Sequence, residues 1–223
     1  GELTRFRALT FFTKEPETID WIKSFKSDEV LLDVGANIGI YSLYAASRGI
    51  TTIAIEPDSL NNALLNLNIN LNLFGSQIIA FALALHESPK YSSLNIKKME
   101  WGGALNSFDN CLDQFNKIYY PIHKQGVYGE SLDNFLKSIN KEINHLKIDV
   151  DGNEGIILRG SKKTLTSKSL KTILIEFDIN HKDYKNSMDY IQSYGFNLES
   201  KTNSIKDINS KFKTTFNHIF LRK

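Results

Sequence analysis

The sequence predicts an α/β fold: a mostly parallel sheet covered by helices on both faces. Two observations carry this expectation. Short β-branched apolar runs alternate with segments of helical spacing, and the runs end repeatedly in an acid or a glycine turn.

The elements follow in order. Val30 to Val34 is an apolar run ending in Gly35, and Ile38 to Ser47 then has helical spacing through Ile38, Tyr41 and Ala45. Thr51 to Ile55 is β-branched and apolar, as a strand requires. Ser59 is a good N-cap for a helix carrying Leu60, Ala63, Leu64, Leu67 and Leu71 on one stripe. Gln77 to Leu85 reads as a third strand. Ser131 caps a short helix with Leu132, Phe135 and Leu136, and Ile143 to Val150 is a fourth strand. Glu154 to Lys163 reads as helix and Lys171 to Phe177 as a fifth strand, and a helix from Tyr184 to Tyr194 is stopped by Gly195. Phe196 to Lys201 and Phe216 to Leu221 are late strands, joined by a polar stretch without a helical stripe, which favours an antiparallel pair.

Two regions fall outside the alternation, Phe6 to Phe25 and His86 to Glu130. The expected division is therefore an N-terminal extension (1–29) packing on a main domain (30–223), with 86–130 as an insertion. Long loops in compact domains tend to be functional, so the insertion is expected to help form the substrate site.

Composition excludes several classes. A 223-residue chain buries a sizeable core without staples, and its 41% hydrophobic content is ordinary for a globular protein. A net charge of +2 with scattered basic residues gives no footprint for nucleic acid. The single cysteine, Cys111, rules out an internal disulfide framework and suits a reducing compartment. No apolar run approaches the roughly 20 residues of a membrane span. No charged-then-apolar leader opens the chain, and a start at Gly1 without Met leaves trimming or tagging open. The expectation is a soluble cytoplasmic enzyme; the sequence says nothing about oligomeric state.

In an open α/β sheet, ligands bind outside the carboxyl ends of the strands. Here those ends carry Asp33, Glu56, Asp149 with Asp151, and Glu176, which implies a crevice lined with carboxylates. The most specific end is Asp33-x-Gly35-x-Asn37-x-Gly39, whose glycines sit where a strand turns sharply into a helix and let backbone approach a ligand. It differs from the pyrophosphate fingerprint G-x-G-x-x-G, because Asn37 holds the middle position. A ligand with a carboxylate, an amine and a ribose suits an acidic turn better than a diphosphate does. Glu56 stands at the roughly 20-residue offset where an acid accepts hydrogen bonds from ribose hydroxyls. The competing readings are structural glycines and a solvated acid; together the two motifs describe a nucleoside-binding half-site.

With these pieces the sequence resembles the FkbM-type family of class I S-adenosylmethionine-dependent methyltransferases. The matching segments are Glu15-Pro16-Glu17-Thr18 with Trp21-Ile22, Asp33 to Ser42, Ile55-Glu56-Pro57, Ala82 to Leu85, Ser131-Leu132-Asp133, and Leu146 to Glu154 with Leu158-Arg159-Gly160. The family commonly has Glu where this chain has Asp151. The resemblance implies a Rossmann-like, seven-stranded, mostly parallel sheet with an antiparallel last strand, and methyl transfer from S-adenosylmethionine, often to a hydroxyl of a sugar or natural product. It implies that Asp33, Gly35, Asn37 and Gly39 surround the methionine part, that Glu56 holds the ribose, that Ala84 borders the adenine, and that Asp149 lies near the methionine amine or the reacting centre.

By alternation Lys147, Asp149 and Asp151 share one face of the fourth strand. A lysine within a central strand needs a partner. Either it pairs with Asp149 or another carboxylate, or the charged ladder orients the acceptor and assists its deprotonation. Candidate general bases are Asp149, Asp151 and His181, the last just past the fifth strand. The five histidines show no H-x-H or H-E-x-x-H spacing and no cysteine cluster exists, so no metal site is expected. Asp149 and Asp151 alone are weak evidence for a divalent cation. Trp101, Tyr119-Tyr120 and Tyr128 in the insertion could wall a sugar or a flat acceptor, or simply form core.

The expected acceptor is a small molecule or saccharide. Methylation of nitrogen is the alternative, on a small molecule or a macromolecule, but the (Asp/Asn)-Pro-Pro-aromatic tetrad of amino-methylating nucleic-acid enzymes is absent; Ile148-Asp149-Val150-Asp151 stands in its place. A non-catalytic cofactor-binding module of an assembly is the reading from another class.

Overall fold

The computed structural model describes residues 1–203, 210 and 212–223. Helices α1 (Glu2–Leu9), α2 (Phe11–Lys14) and α3 (Pro16–Lys23) lead into β1 (Val30–Val34), α4 (Ile40–Ser47), β2 (Thr51–Ile55), α5 (Ser59–Leu71) and β3 (Ile78–Phe81). Then come β4 (Ala84–His86), β5 (Lys90–Ile96), β6 (Ser107–Phe108), β7 (His123–Ser131) and α6 (Leu132–Ser138). The chain closes with β8 (His145–Ile148), α7 (Glu154–Arg159), α8 (Lys162–Thr166), β9 (Thr172–Asp178), α9 (Tyr184–Ser193), β10 (Phe196–Thr202) and β11 (Thr215–Arg222).

The main sheet has seven strands in the order β10-β11-β9-β8-β1-β2-β3. Neighbours from β9 to β3 pair in parallel, while β11 runs antiparallel to both β9 and β10. The parallel strands are apolar almost throughout because both faces are covered. One face packs Leu32, Val34, Leu146, Ile148, Ile173 and Ile175 against α6, α7 and α9. The other packs Leu31 and Leu174 against Trp21 and Ile22 of α3 and Tyr41 and Ala45 of α4. The helical N-terminus is therefore part of a core face. Pro16 stands at the start of α3, where its missing N–H costs nothing.

Several elements differ from their sequence expectation. The third strand divides: β3 extends the main sheet, whereas β4 pairs with β7 in a second sheet, ordered β4-β7-β5-β6. The insertion thus builds a mixed sheet, with β4 parallel and β5 antiparallel to β7, around its own core of Ala84, Leu94, Ile96, Phe108 and Val127, rather than an extended loop. The four aromatics singled out in it form no wall. Tyr119 is buried, accepting from Ser107 N and donating to Asn95 O, while Trp101, Tyr120 and Tyr128 face outward.

On α5 the buried residues are Asn61, Leu65 and Ile69, and Leu67 and Leu71 are exposed. The buried face is set by Leu65 and Ile69 packing on Ala36, Ala46, Ala54 and Ile78, and Asp58 rather than Ser59 caps the helix, accepting from Leu60 N and Asn61 N. The Glu154 to Lys163 segment breaks at Gly160, where a Cβ would lie 2.5 Å from the His86 carbonyl oxygen. The fourth strand ends at Ile148, and Asp151 and Gly152 take positive φ of 59° and 114°, so Asp151 has left the strand alternation.

Candidate functional site

A cleft of about 400 Å³ opens at the carboxyl ends of the strands, centred on the β1/β8 boundary where the strand order switches direction. Gly35, Asn37, Glu56, Ala84, Asp149 and Asp151 line it.

The turn after β1 is built by packing as much as by any ligand. Gly35 has φ of +79°, and a Cβ there would lie 1.8 Å from the Asp149 carbonyl oxygen. Gly39 has φ of +88°, and its Cβ would meet Leu65 Cδ1 at 2.4 Å. The two glycines let β1, β8 and α5 close on one another. Asn37 also has positive φ, 53°, a region asparagine tolerates better than most residues. Its amide is committed: Nδ2 donates to Gly103 O (2.7 Å) and Oδ1 accepts from Ile38 N (2.9 Å).

Glu56 accepts from Asn37 N (2.7 Å) on one oxygen and from Asp58 N (2.8 Å) on the other. Burial pushes its carboxyl up to about 8 against these two charge-favouring hydrogen bonds. Each oxygen keeps a second lone-pair direction, and the side chain lies on the cleft wall.

Residues 100–106 of the insertion cross the cleft as a strap. Asn61 donates to Gly103 O (3.0 Å) and accepts from Gly102 N (2.9 Å), and Arg7 Nε donates to Gly102 O (2.9 Å). Leu105 N donates to Asp151 Oδ2 (2.6 Å), and Asn106 Nδ2 donates to Asp58 Oδ2 (3.0 Å). Helix α1, the β1 turn, α5 and the segment after β8 therefore all hold the strap.

Lys147 is 1% exposed and does not reach the cleft. Its ammonium lies 3.0 Å from Asp149 Oδ2, 3.8 Å from Asp33 Oδ1 and 5.2 Å from the Tyr41 ring centre. Asp33 is equally buried and accepts from Ser42 Oγ (2.6 Å); burial raises its proton affinity, opposed by Lys147. Burial would raise Asp149 as well, but the Lys147 ammonium holds it below its ordinary value. Asp151 is pushed up to about 6 by burial and by Asp149.

Beyond Asp149 the cleft continues to Glu15, Glu176, Thr215 and Asn217, with Lys14 and Arg7 on its rim. Glu15 accepts from Tyr41 Oη (2.8 Å) and pairs with Lys14. Burial, then Asp149 and Glu15, raise Glu176 well above the carboxylate range.

Six of the expected site residues thus share the cleft wall, and four do not. Asp33 and Lys147 lie beneath the floor because even in-strand positions of a doubly covered sheet face helices. Gly39 is behind the turn against Leu65. His181 follows the end of β9 into a separate small recess with Glu154 and Asp178, its Nδ1 accepting from Asp183 N. Sequence reasoning missed Arg7 and Asn61, which carry no local signal beyond their residue type; Glu15 was visible only as part of the family-like Glu15-Pro16-Glu17-Thr18 segment, and Glu176 only as another strand-end acid. Among the described residues, no cluster of three or more His, Cys, Asp or Glu is arranged to hold a metal ion, and no helix is long and apolar enough to cross a membrane.

The sheet order with its reversed β11, the glycine turn after β1 and the acid ending β2 define the class I S-adenosylmethionine-dependent methyltransferase fold. Solved structures agree at the level of fold. A precorrin-6y C5,15-methyltransferase from Geobacter metallireducens superposes with a TM-score of 0.55 at 12% identity, covering 94% of this chain and 87% of that one. An rRNA methylase from Streptococcus thermophilus gives 0.54 at 11% identity, covering 92% and 94%. Residues 33–198 match the Methyltransferase FkbM domain, and the chain belongs to that family. A stretch of 179 residues is 28% identical to the AMB antimetabolite synthetase AmbE of Pseudomonas aeruginosa, spanning 66% of this chain and 8% of that protein. Methyltransferase 1 of Beauveria bassiana is 25% identical over 188 residues, 78% of this chain and 75% of the relative. Family and fold imply S-adenosylmethionine as the cofactor.

Proposed function

We propose that this chain transfers a methyl group from S-adenosylmethionine to a hydroxyl oxygen of a small polyhydroxylated acceptor, a sugar or natural product. The observation that carries the reading is the division of one cleft into two chemically different halves on either side of Asp149.

The half beside β1, β2 and β4 fits the cofactor. Glu56 offers lone pairs to ribose hydroxyls from a dry site, and Ala84, Leu85, Leu94 and Phe108 give an apolar bed for a flat base. The turn at Gly35 and Asn37 would follow the methionine part, with the ionised Asp149 facing its ammonium. When bound, the cofactor supplies an electrophilic methyl group. The protein's share is to align the acceptor oxygen, exclude water and take up the proton.

The other half is lined by Glu15, Asp149, Asp151 and Glu176, with Asn217 and Thr215 beside them. Carboxyls and amides in a small cleft match an array of hydroxyl donors, and the carboxyls, with Lys14 and Arg7 as cations on the rim, disfavour a phosphate backbone. This supports a small neutral acceptor over nucleic acid.

The experiment is incubation of the purified chain with methyl-labelled S-adenosylmethionine and a panel of free sugars, glycosides and hydroxylated natural products. Mass spectrometry should find an O-methylated product, and S-adenosylhomocysteine should raise the melting temperature. Methylation confined to amines or RNA would overturn the acceptor reading; dinucleotide binding in place of S-adenosylhomocysteine would overturn the cofactor assignment.

A further inference from the structure

Glu176 lies in β9 one residue beyond the registered pair Ile148–Ile175, which sets it beside Asp149, itself next after Ile148. On its other side Asn217 of β11 is its register partner. Gly35, Asp149, Glu176 and Asn217 therefore form a row across the carboxyl edge of the sheet, leading from the cofactor half into the acceptor half.

The acids along this row differ in what they already hold. Asp149 is bound to Lys147 at 3.0 Å. Asp151 is bound to Leu105 N at 2.6 Å, and Glu15 is held by Tyr41 and Lys14. The Glu176 carboxyl lines the cleft and has no hydrogen-bond or ion-pair partner among the described residues. The charged groups around it are Glu15 and Lys14 from the α2/α3 junction and Asp149 and Asp151 from the segment after β8, with Glu154 of α7, Asp178 of β9 and His181 lining the small recess that Glu176 also borders. An ionised acid fixed to a lysine is a weak base, whereas an unpaired carboxyl among like charges binds a proton firmly.

We propose that Glu176 is a catalytic residue, the base that removes the acceptor's hydroxyl proton during methyl transfer. The acceptor oxygen forms a bond to the methyl carbon as the carbon–sulfur bond breaks. The bonding pair of that bond goes to sulfur, leaving a neutral thioether, and the hydroxyl proton passes to a Glu176 carboxylate oxygen. Asp149, held ionised by Lys147, stays charged beside the donor throughout. Burial and the neighbouring carboxyls raise Glu176 well above the ordinary range, so its ionised fraction grows with pH and turnover follows it.

The proposal rests on the O-methylation reading, and its test separates the two. Wild type, E176Q and E176D are assayed as full-length chains with methyl-tritiated S-adenosylmethionine and the sugar and glycoside panel, across a pH series. E176Q should lower kcat by roughly 10²–10⁴-fold and lose the rising pH limb, while S-adenosylhomocysteine affinity and melting temperature stay near wild type. E176D should restore part of the rate, with a displaced limb. O-methyl product formed by E176Q within a few-fold of the wild-type rate, or on an unchanged pH profile, would sink the base role alone. Methylation confined to amines in the wild type would sink the reading beneath it and the base role with it.

Discussion

Replacing Lys147 by Met keeps the length of the side chain and removes its charge. In the wild type the ammonium lies 3.0 Å from Asp149 and 3.8 Å from Asp33, at a site 1% exposed. Asp33 Oδ1 has no hydrogen bond, so Lys147 is its main compensation. Removing one partner of such a buried cluster leaves uncompensated charge and costs about 3–5 kcal/mol. In a chain of this size that lowers the melting temperature by roughly 6–20 °C. The deficit should depend on pH. Without Lys147 the two carboxyls bind protons more tightly folded than unfolded, so the penalty is small below their ordinary range and grows as pH rises through their raised folded values. K147M/D33N should recover part of the loss, since it removes one stranded carboxylate. Calorimetry of the three proteins from acid to neutral pH is the assay. A loss below about 1 kcal/mol at neutral pH, or one that does not change with pH, would refute the view of Lys147 as a buried counter-ion.

Two further perturbations probe the cofactor half. Asn61 makes two hydrogen bonds to the strap, so N61A should cost about 1–3 kcal/mol of strap closure and speed S-adenosylhomocysteine dissociation roughly 5–150-fold in stopped-flow measurements; an unchanged off-rate would show that the strap does not retain the cofactor. Because burial lifts Glu56 to about 8, the proton must leave before the carboxylate can fully accept from ribose hydroxyls. Titration calorimetry should therefore show wild-type affinity for S-adenosylhomocysteine rising with pH up to about 8 and staying flat in E56Q. Over the same window the unliganded wild type should lose stability relative to E56Q, since its folded state binds this proton more tightly than the unfolded chain. Parallel affinity profiles for the two proteins would place the ribose elsewhere.

The helix and strand order was legible because it is written locally. The β-branched apolar run Thr51–Ile55 marks a strand covered on both faces, the helical spacing of Tyr184–Ser193 reflects one apolar face, and Gly195 ends α9 wherever the helix packs. The Asp33 to Gly39 turn and Glu56 were legible for the same reason, since a strand, a sharp turn and a helix confine a nucleoside site to fixed offsets. Local patterns failed where long-range pairing chose between options. Ala84 to His86 continues an apolar run, yet pairs with β7 in another sheet. Asp58 rather than Ser59 caps α5, and packing of Leu65 and Ile69 on Ala46, Ala54 and Ile78 leaves Leu67 and Leu71 to solvent. Alternation put Lys147, Asp149 and Asp151 on one ladder, but the strand stops at Ile148, leaving the lysine under the floor and both acids in the cleft. The sequence by itself determined most of the sheet's elements and the glycine turn and acid on which the proposed methyl-donor site rests, because both depend on neighbours along the chain. Only the tertiary structure brought Arg7, Asn61 and the strap together over the cleft and left Glu176 unpaired beside Asp149, because those contacts join residues far apart in sequence whose partners no local pattern specifies.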